Sequence, residues 1–174
     1  MSAFLDALSA TGPVSDRNMQ LYAWLIGDWR FDATHYDDNG TATKGAQGEI
    51  HFGWALQGRA IQDVWILPAR DQPNSASVFY GTTLRIYDPA IDAWHILWND
   101  PVKMLLTRQL GRAQGSDIVQ VGDDGKGTAL RWTFSEITAE SFRWFGEKSP
   151  DGGKIWLQQV EFRARRDRRS PNLL

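Results

Sequence analysis

The sequence contains no cysteine. That absence excludes a disulfide framework, a thiolate metal site and a cysteine nucleophile. An excess of charge of one sign is also missing. Nineteen Lys and Arg against 21 Asp and Glu leave a net charge of −2, which gives no steer toward nucleic acid or an anionic membrane surface. No run approaches 18 uninterrupted apolar residues, so no membrane-spanning helix is expected. The opening MSAFLDALSATGP lacks the basic and apolar regions of a signal peptide. A soluble, cytoplasmic protein with no nucleic-acid and no membrane partner is the expectation. Three motifs are absent as well: a Gly-rich phosphate loop between strand and helix, HExxH and GxSxG. Glu49 and His51 lie two apart and share a strand face, with His95 as a third ligand across the sheet. Such trios are common by chance, so neither a metal nor a cofactor is expected.

What the sequence has in plenty is rings. Nine Trp, eight Phe and four Tyr make up 12% of 174 residues. Aromatic side chains favour strands and bring large buried areas. The length suffices for one domain with a sizeable core. The rings therefore either fill that core or line a cavity for a flat or apolar ligand.

Hydrophobic period divides the chain. Phe4, Leu5 and Leu8 share one helical face in residues 1–10, and Gly12-Pro13 ends that helix. Ser15-Asp16 caps a second short helix through Met19, Leu21 and Tyr22. After Gly27 the period becomes two: Trp29, Phe31, Ala33 and His35 alternate with Arg30, Asp32, Thr34 and Tyr36. Further strands are predicted near 44–55, 59–67, 77–87, 93–99, 103–110, 116–121, 128–135, 141–147 and 154–165. Turn residues separate them, as in Asp37-Asp38-Asn39-Gly40, Asp71-Gln72-Pro73-Asn74 and Asp123-Asp124-Gly125. No stretch sustains a crossover helix, so the sheet is antiparallel. About ten short strands joined by tight turns read as an up-and-down barrel or a sandwich. Closure removes exposed edges and favours the barrel. The predicted organisation is a helical segment over 1–23, an all-β barrel over 24–165 and a basic tail over 166–174. The arginines at 163, 165, 166, 168 and 169 are able to grip phosphates. With no second basic patch they read instead as a last strand running into a solvated tail.

Short motifs carry a family resemblance across roughly 24–165. Leu25-Ile26-Gly27-Asp28-Trp29 resembles the Gly-x-Trp opening of the lipocalin and wider calycin barrels. Gly58-Arg59, and Tyr87-Asp88 followed by Trp94, are similar to motifs of a bacterial lipocalin-like group of unknown function. The resemblance implies an antiparallel barrel open at one end. It also implies that a basic residue of the last strand, Arg163 or Arg165, packs over Trp29. Such a cation–π contact is worth about 0.5–2 kcal/mol. The chain departs from the secreted lipocalins in lacking cysteines and a signal peptide, and from the haem-binding calycins in lacking their axial-histidine context. Fold likeness does not transmit function.

The hairpin GEIHFGWALQGRAIQDVWIL at 48–67 supplies the candidate chemistry. Opposed residues of an antiparallel pair share a face, so loop length decides the faces. A two-residue loop at Gln57-Gly58 sets Trp54 against Ile61, Phe52 against Asp63 and Ile50 against Trp65. Asp63 then stands in an apolar wall, and this register gives the cleaner wall. A three-residue loop sets His51 against Asp63 and creates an acid–base dyad. A carboxyl among rings is pushed toward its neutral form and suits a general acid or base. The alternative is an Asp63 that pairs with an inward arginine and anchors the barrel. Asp63 and His51 are thus the catalytic candidates. The ligand-binding candidates are Trp54, Trp65, Tyr80, Arg85, His95, Trp98, Asn99, Arg108, Trp132 and Trp144. His35 ends the first strand on its apolar side, at a barrel mouth. The expected function is binding of a small apolar or aromatic metabolite. The alternative is a cofactor-independent acid–base enzyme (lyase, isomerase or hydrolase) in the same cavity, with Arg85 or Arg108 steadying an oxyanion. Outward Val64 and Ile66 suggest a strip that a homodimer covers.

Overall fold

The computed structural model describes residues 2–72 and 76–168, the side chains of 16–18 excepted. The turn expected over 71–74, the side chain of Asp16 and Arg169 of the basic tail therefore lie partly or wholly outside the described residues. The chain opens with helix α1 (Ala3–Leu8), strand β1 (Ser9–Ala10) and helix α2 (Asp16–Ala23). Ten longer strands follow: β2 (Gly27–Tyr36), β3 (Ala42–Ala55), β4 (Ala60–Leu67), β5 (Phe79–Asp88), β6 (Ala93–Asp100), β7 (Leu105–Gln114), β8 (Asp117–Asp123), β9 (Ala129–Ser135), β10 (Ser141–Ser149) and β11 (Leu157–Arg166). Each pairs antiparallel with the next, and β11 returns to β2, which closes an up-and-down barrel.

Local chemistry explains the breaks. Asp37 accepts the backbone N–H groups of Asn39 and Thr41, and Asp124 those of Lys126 and Thr128. These are aspartate-centred turns that reverse the chain between strands. Helix α1 stops at Leu8, short of Gly12-Pro13, because Ser9 and Ala10 extend to pair with Ala55 and Trp54 of β3. Its apolar face is not a core face: Phe4 is 72% exposed. Helix α2 does reach the core, with Tyr22 fully buried and Leu25 just beyond it.

The hairpin adopts the register with Ile50 opposite Trp65, Phe52 opposite Asp63 and Trp54 opposite Ile61. Gly58 turns the chain at φ +76°, where a Cβ would meet the Gly12 carbonyl oxygen at 2.2 Å. A side chain is thus refused both by conformation and by space. His51 stands opposite Val64, so it lies on the face away from Asp63.

One end of the barrel is closed by aromatic packing. Tyr22 meets Trp94 edge-on at 5.0 Å, and Trp24 meets Phe142 at 5.4 Å and Trp29 at 6.2 Å. Trp29 donates its indole N–H to the Leu25 carbonyl at 2.7 Å. The cation over Trp29 is Arg166, 4.0 Å from the ring centroid, rather than Arg163 or Arg165. Side-chain parity is the reason. Phe162 and Ala164 face the core, Arg166 shares their face, and Arg163 and Arg165 point out. Arg166 also donates to the carbonyls of Ile26 (2.5 Å), Trp24 and Ala139 (3.1 Å).

On the outside, Ile66 is already buried within the chain. Val64 lines an apolar surface groove with Tyr80, Met104 and Leu106. Among the described residues no helix is long and apolar enough to cross a membrane.

Candidate functional site

The open end of the barrel holds a cavity of about 260 Å³. Its walls are Trp65, Trp98, Trp132 and Trp144, with Phe79 and Phe162 between them. Trp144 stacks on Phe162 (4.9 Å, 14° between planes), and Trp65 and Trp132 each lie 5.6 Å from Trp144. These rings come from β4, β5, β6, β9, β10 and β11, each by the alternation that sends every second residue inward.

Arg85 contributes one of the two cationic groups of the lining and is 2% exposed. Its Nη1 pairs with the Asp63 carboxylate, whose other oxygen accepts the Thr83 N–H at 2.7 Å. The guanidinium carbon lies 5.4 Å from the rings of both Tyr22 and Phe52. Arg85 thus sits between the aromatic plug and the cavity. Asp63 is the anchoring partner of an inward arginine. Tyr22 donates its hydroxyl to Gln120 at 3.3 Å, and Gln120 donates to Gln109 at 3.4 Å. Burial pushes the Tyr22 hydroxyl above its ordinary pKa, the Arg85 charge opposing this.

Several buried donors in this layer lack a partner among the described residues. They are Arg85 Nε, Trp65 Nε1 and Gln109 Nε2, and the Thr107 hydroxyl is likewise unpaired. Buried polar groups in folded proteins are nearly all paired; these four lie inside the barrel, while His95 Nδ1, Ser135 Oγ and Arg143 Nε are unpaired elsewhere among the described residues.

The remaining lining is polar at several points: His35, Asp100, Lys103 and Gln159. Asp100 accepts the N–H groups of Val102 (2.9 Å) and Lys103 (3.2 Å), which fixes the turn carrying Lys103. The Lys103 ammonium lies 5.6 Å from the centroid of Phe79. Burial, and then the Lys103 charge, hold the His35 imidazole below its ordinary pKa. It is therefore neutral at pH 7 and free to accept a proton.

Of the residues singled out from sequence, Trp65, Arg85, Trp98, Trp132 and Trp144 meet at this cavity. Trp54 does not line it; it packs on the core beside β1. Tyr80, Asn99 and Arg108 are exposed, and His95 pairs with Asp88 at 3.1 Å. All four have the parity opposite to their inward neighbours Gly81, Trp98 and Gln109. His51 belongs to an outer charge network. Its Nδ1 is 2.6 Å from Asp28, and its Nε2 is 3.1 Å from Arg70. Arg70 also holds Glu49 at 2.5 Å. Burial opposes the Glu49 charge, but the Arg70 bonds outweigh it and keep the carboxyl below its usual range. Asp63 and His51 therefore form no dyad. Thr83, Asp100, Leu105, Gln159, Val160, Phe79 and Phe162 were missed. Thr83 and Asp100 were within reach, two residues from Arg85 and Trp98 on the same faces. Lys103 gave no signal, because it sits in a turn. Among the described residues no cluster of His, Asp and Glu is arranged to hold a metal ion.

No protein-family model matches the chain, and no curated protein does. Solved structures do. Rv2717c from M. tuberculosis superposes with a TM-score of 0.59 at 12% identity, over 87% of this chain and 98% of that one. The S-type phycobiliprotein lyase CPES from Guillardia theta gives 0.59 at 10% identity, over 87% of this chain and 93% of the other. At such identities the likeness speaks for architecture alone. With ten antiparallel strands closed around a ring-lined interior, the chain has the lipocalin-like, calycin-type β-barrel fold.

Proposed function

We propose that the barrel binds a small flat aromatic molecule through its open end. The observation that supports this is the cavity of about 260 Å³ walled by four tryptophans, with Arg85 in its lining. An apolar cavity of about 150 Å³ accepts benzene, so this one has room for one or two fused rings. Stacking on indole faces supplies affinity, and the few polar groups supply orientation. Intrinsic tryptophan fluorescence tests the reading. A titration with one- and two-ring aromatics should quench and shift the emission saturably, and Trp132→Ala should weaken the response. Linear, non-saturating quenching by every compound would refute it.

A second reading rests on His35. Its neutral imidazole lines the same cavity, beside Lys103, and suits cofactor-independent proton transfer on a bound aromatic substrate. The similar barrel from Guillardia theta is named as a lyase. In this reading Asp63 holds Arg85, and the base is His35. The test is a turnover assay on compounds that bind. His35→Gln should lower turnover by at least about a hundredfold while binding persists. Equal turnover in the variant would remove this reading.

A further inference from the structure

Most of the unpaired groups inside the barrel share one property; the Thr107 hydroxyl, which accepts as well as donates, is the exception. Arg85 Nε, Trp65 Nε1 and Gln109 Nε2 only donate, and none has a partner among the described residues. Arg85 and Trp65 both line the cavity. The acceptor in direct contact with Arg85 is committed. Asp63 receives Arg85 and the Thr83 N–H, one at each oxygen. One Asp100 oxygen receives two backbone N–H groups. Around Arg85 and Trp65 the lining therefore offers donors without partners, and a buried donor without an acceptor costs about 1–3 kcal/mol. A molecule that brings acceptors removes that cost; a pure hydrocarbon leaves it in place.

Charge narrows the class further. Arg85 is balanced by Asp63 in direct contact. Lys103 lines the cavity together with Asp100, and His35 is neutral at pH 7. The lining and its contacts thus sum to zero. A carboxylate entering this low-dielectric space would leave its own charge unanswered. A neutral carbonyl oxygen accepts hydrogen bonds with no such demand.

Resting on the reading of the cavity as an aromatic site, we propose that its ligand is a neutral one- or two-ring aromatic carbonyl compound, such as a ketone, lactone or amide. The carbonyl oxygen takes hydrogen bonds from the donor set around Arg85 and Trp65, and the ring lies against Trp144 and Trp132. Selectivity then comes from the unpaired donors, as when a site built to hydrogen-bond a substrate group rejects the analogue lacking it.

Three probes of similar size test this by calorimetry on the full chain: chromone (neutral carbonyl), naphthalene (no acceptor) and 1-naphthoate (anion). The expected result is chromone bound at least about tenfold more tightly than either of the others. Trp65→Phe, which removes one donor and keeps a ring, should shrink the chromone-to-naphthalene ratio about two- to tenfold. Naphthalene bound as tightly as chromone overturns the inference and leaves the aromatic site standing. Naphthoate bound most tightly also overturns it, in favour of an anion site. Binding of none of the three overturns both the inference and the reading beneath it. The comparison among probes on the unaltered protein decides the matter even if Trp65→Phe fails to fold.

Discussion

The two ends of the barrel use the same kind of residue to opposite effect. At the closed end the polar atoms of the rings and of the arginine find partners. Trp29 donates to Leu25, Tyr22 to Gln120, and Arg166 to three carbonyls. At the open end Trp65, and Arg85 at the cavity floor, carry buried nitrogens with no partner among the described residues. Tryptophan count alone does not separate scaffold from site. Hydrogen bonding does separate these particular residues: Trp29 and Arg166 in the plug are paired, whereas Trp65 Nε1 and Arg85 Nε at the cavity are not.

Substitutions sharpen this contrast, and the largest effect is expected at the layer between the two ends. Asp63→Asn or Arg85→Met leaves one buried charge unanswered and should cost about 3–5 kcal/mol of stability by urea unfolding. The double variant Asp63→Leu with Arg85→Met should recover most of that loss. Next comes the closed end. Arg166→Ala should cost about 2–4 kcal/mol through lost hydrogen bonds and ring contact, with ligand affinity little changed. Gly111→Ala sets a Cβ 2.3 Å from the Tyr22 hydroxyl and should cost about 1–3 kcal/mol by overpacking. If either substitution weakened ligand binding more than stability, the two ends would not be separable. The smallest effect concerns His35. Its folded pKa lies below the unfolded value of 6.5, so the unfolded chain binds more protons as pH falls. Stability is unaffected well above 6.5, declines as pH drops below it, and levels off beneath the folded pKa. His35→Gln should flatten that decline in a series of thermal midpoints across pH 4–8.

Most strands were legible because turn aspartates and period-two alternation mark them independently. The hairpin register was legible because one loop length gave the cleaner wall. The faces of β5 were not. Its outward set of Tyr80, Thr82, Leu84 and Ile86 is more apolar than its inward set of Phe79, Gly81, Thr83 and Arg85. Hydrophobicity alone picks the wrong side there, since a site interior holds polar groups that a plain core would not. Arg166 was missed for a related reason. Choosing among three arginines needs the parity at the strand end, and boundaries are the least certain part of a pattern. Strand β1 has two residues and therefore no period to read. The link between His51 and Asp28 joins strands β2 and β3 on the outside of the sheet, and only the three-dimensional register reveals it.

Barrel closure carries a temporal consequence. The seam joins β2 to β11, and its last pair sets Trp29 against Arg166. A ribosome must release the chain through Arg166 before that seam is able to zip. Until then β2 keeps an open flank, able to pair with a neighbouring nascent chain. Emergence of β11 is thus the step at which this barrel passes from a sticky ribbon to a sealed vessel.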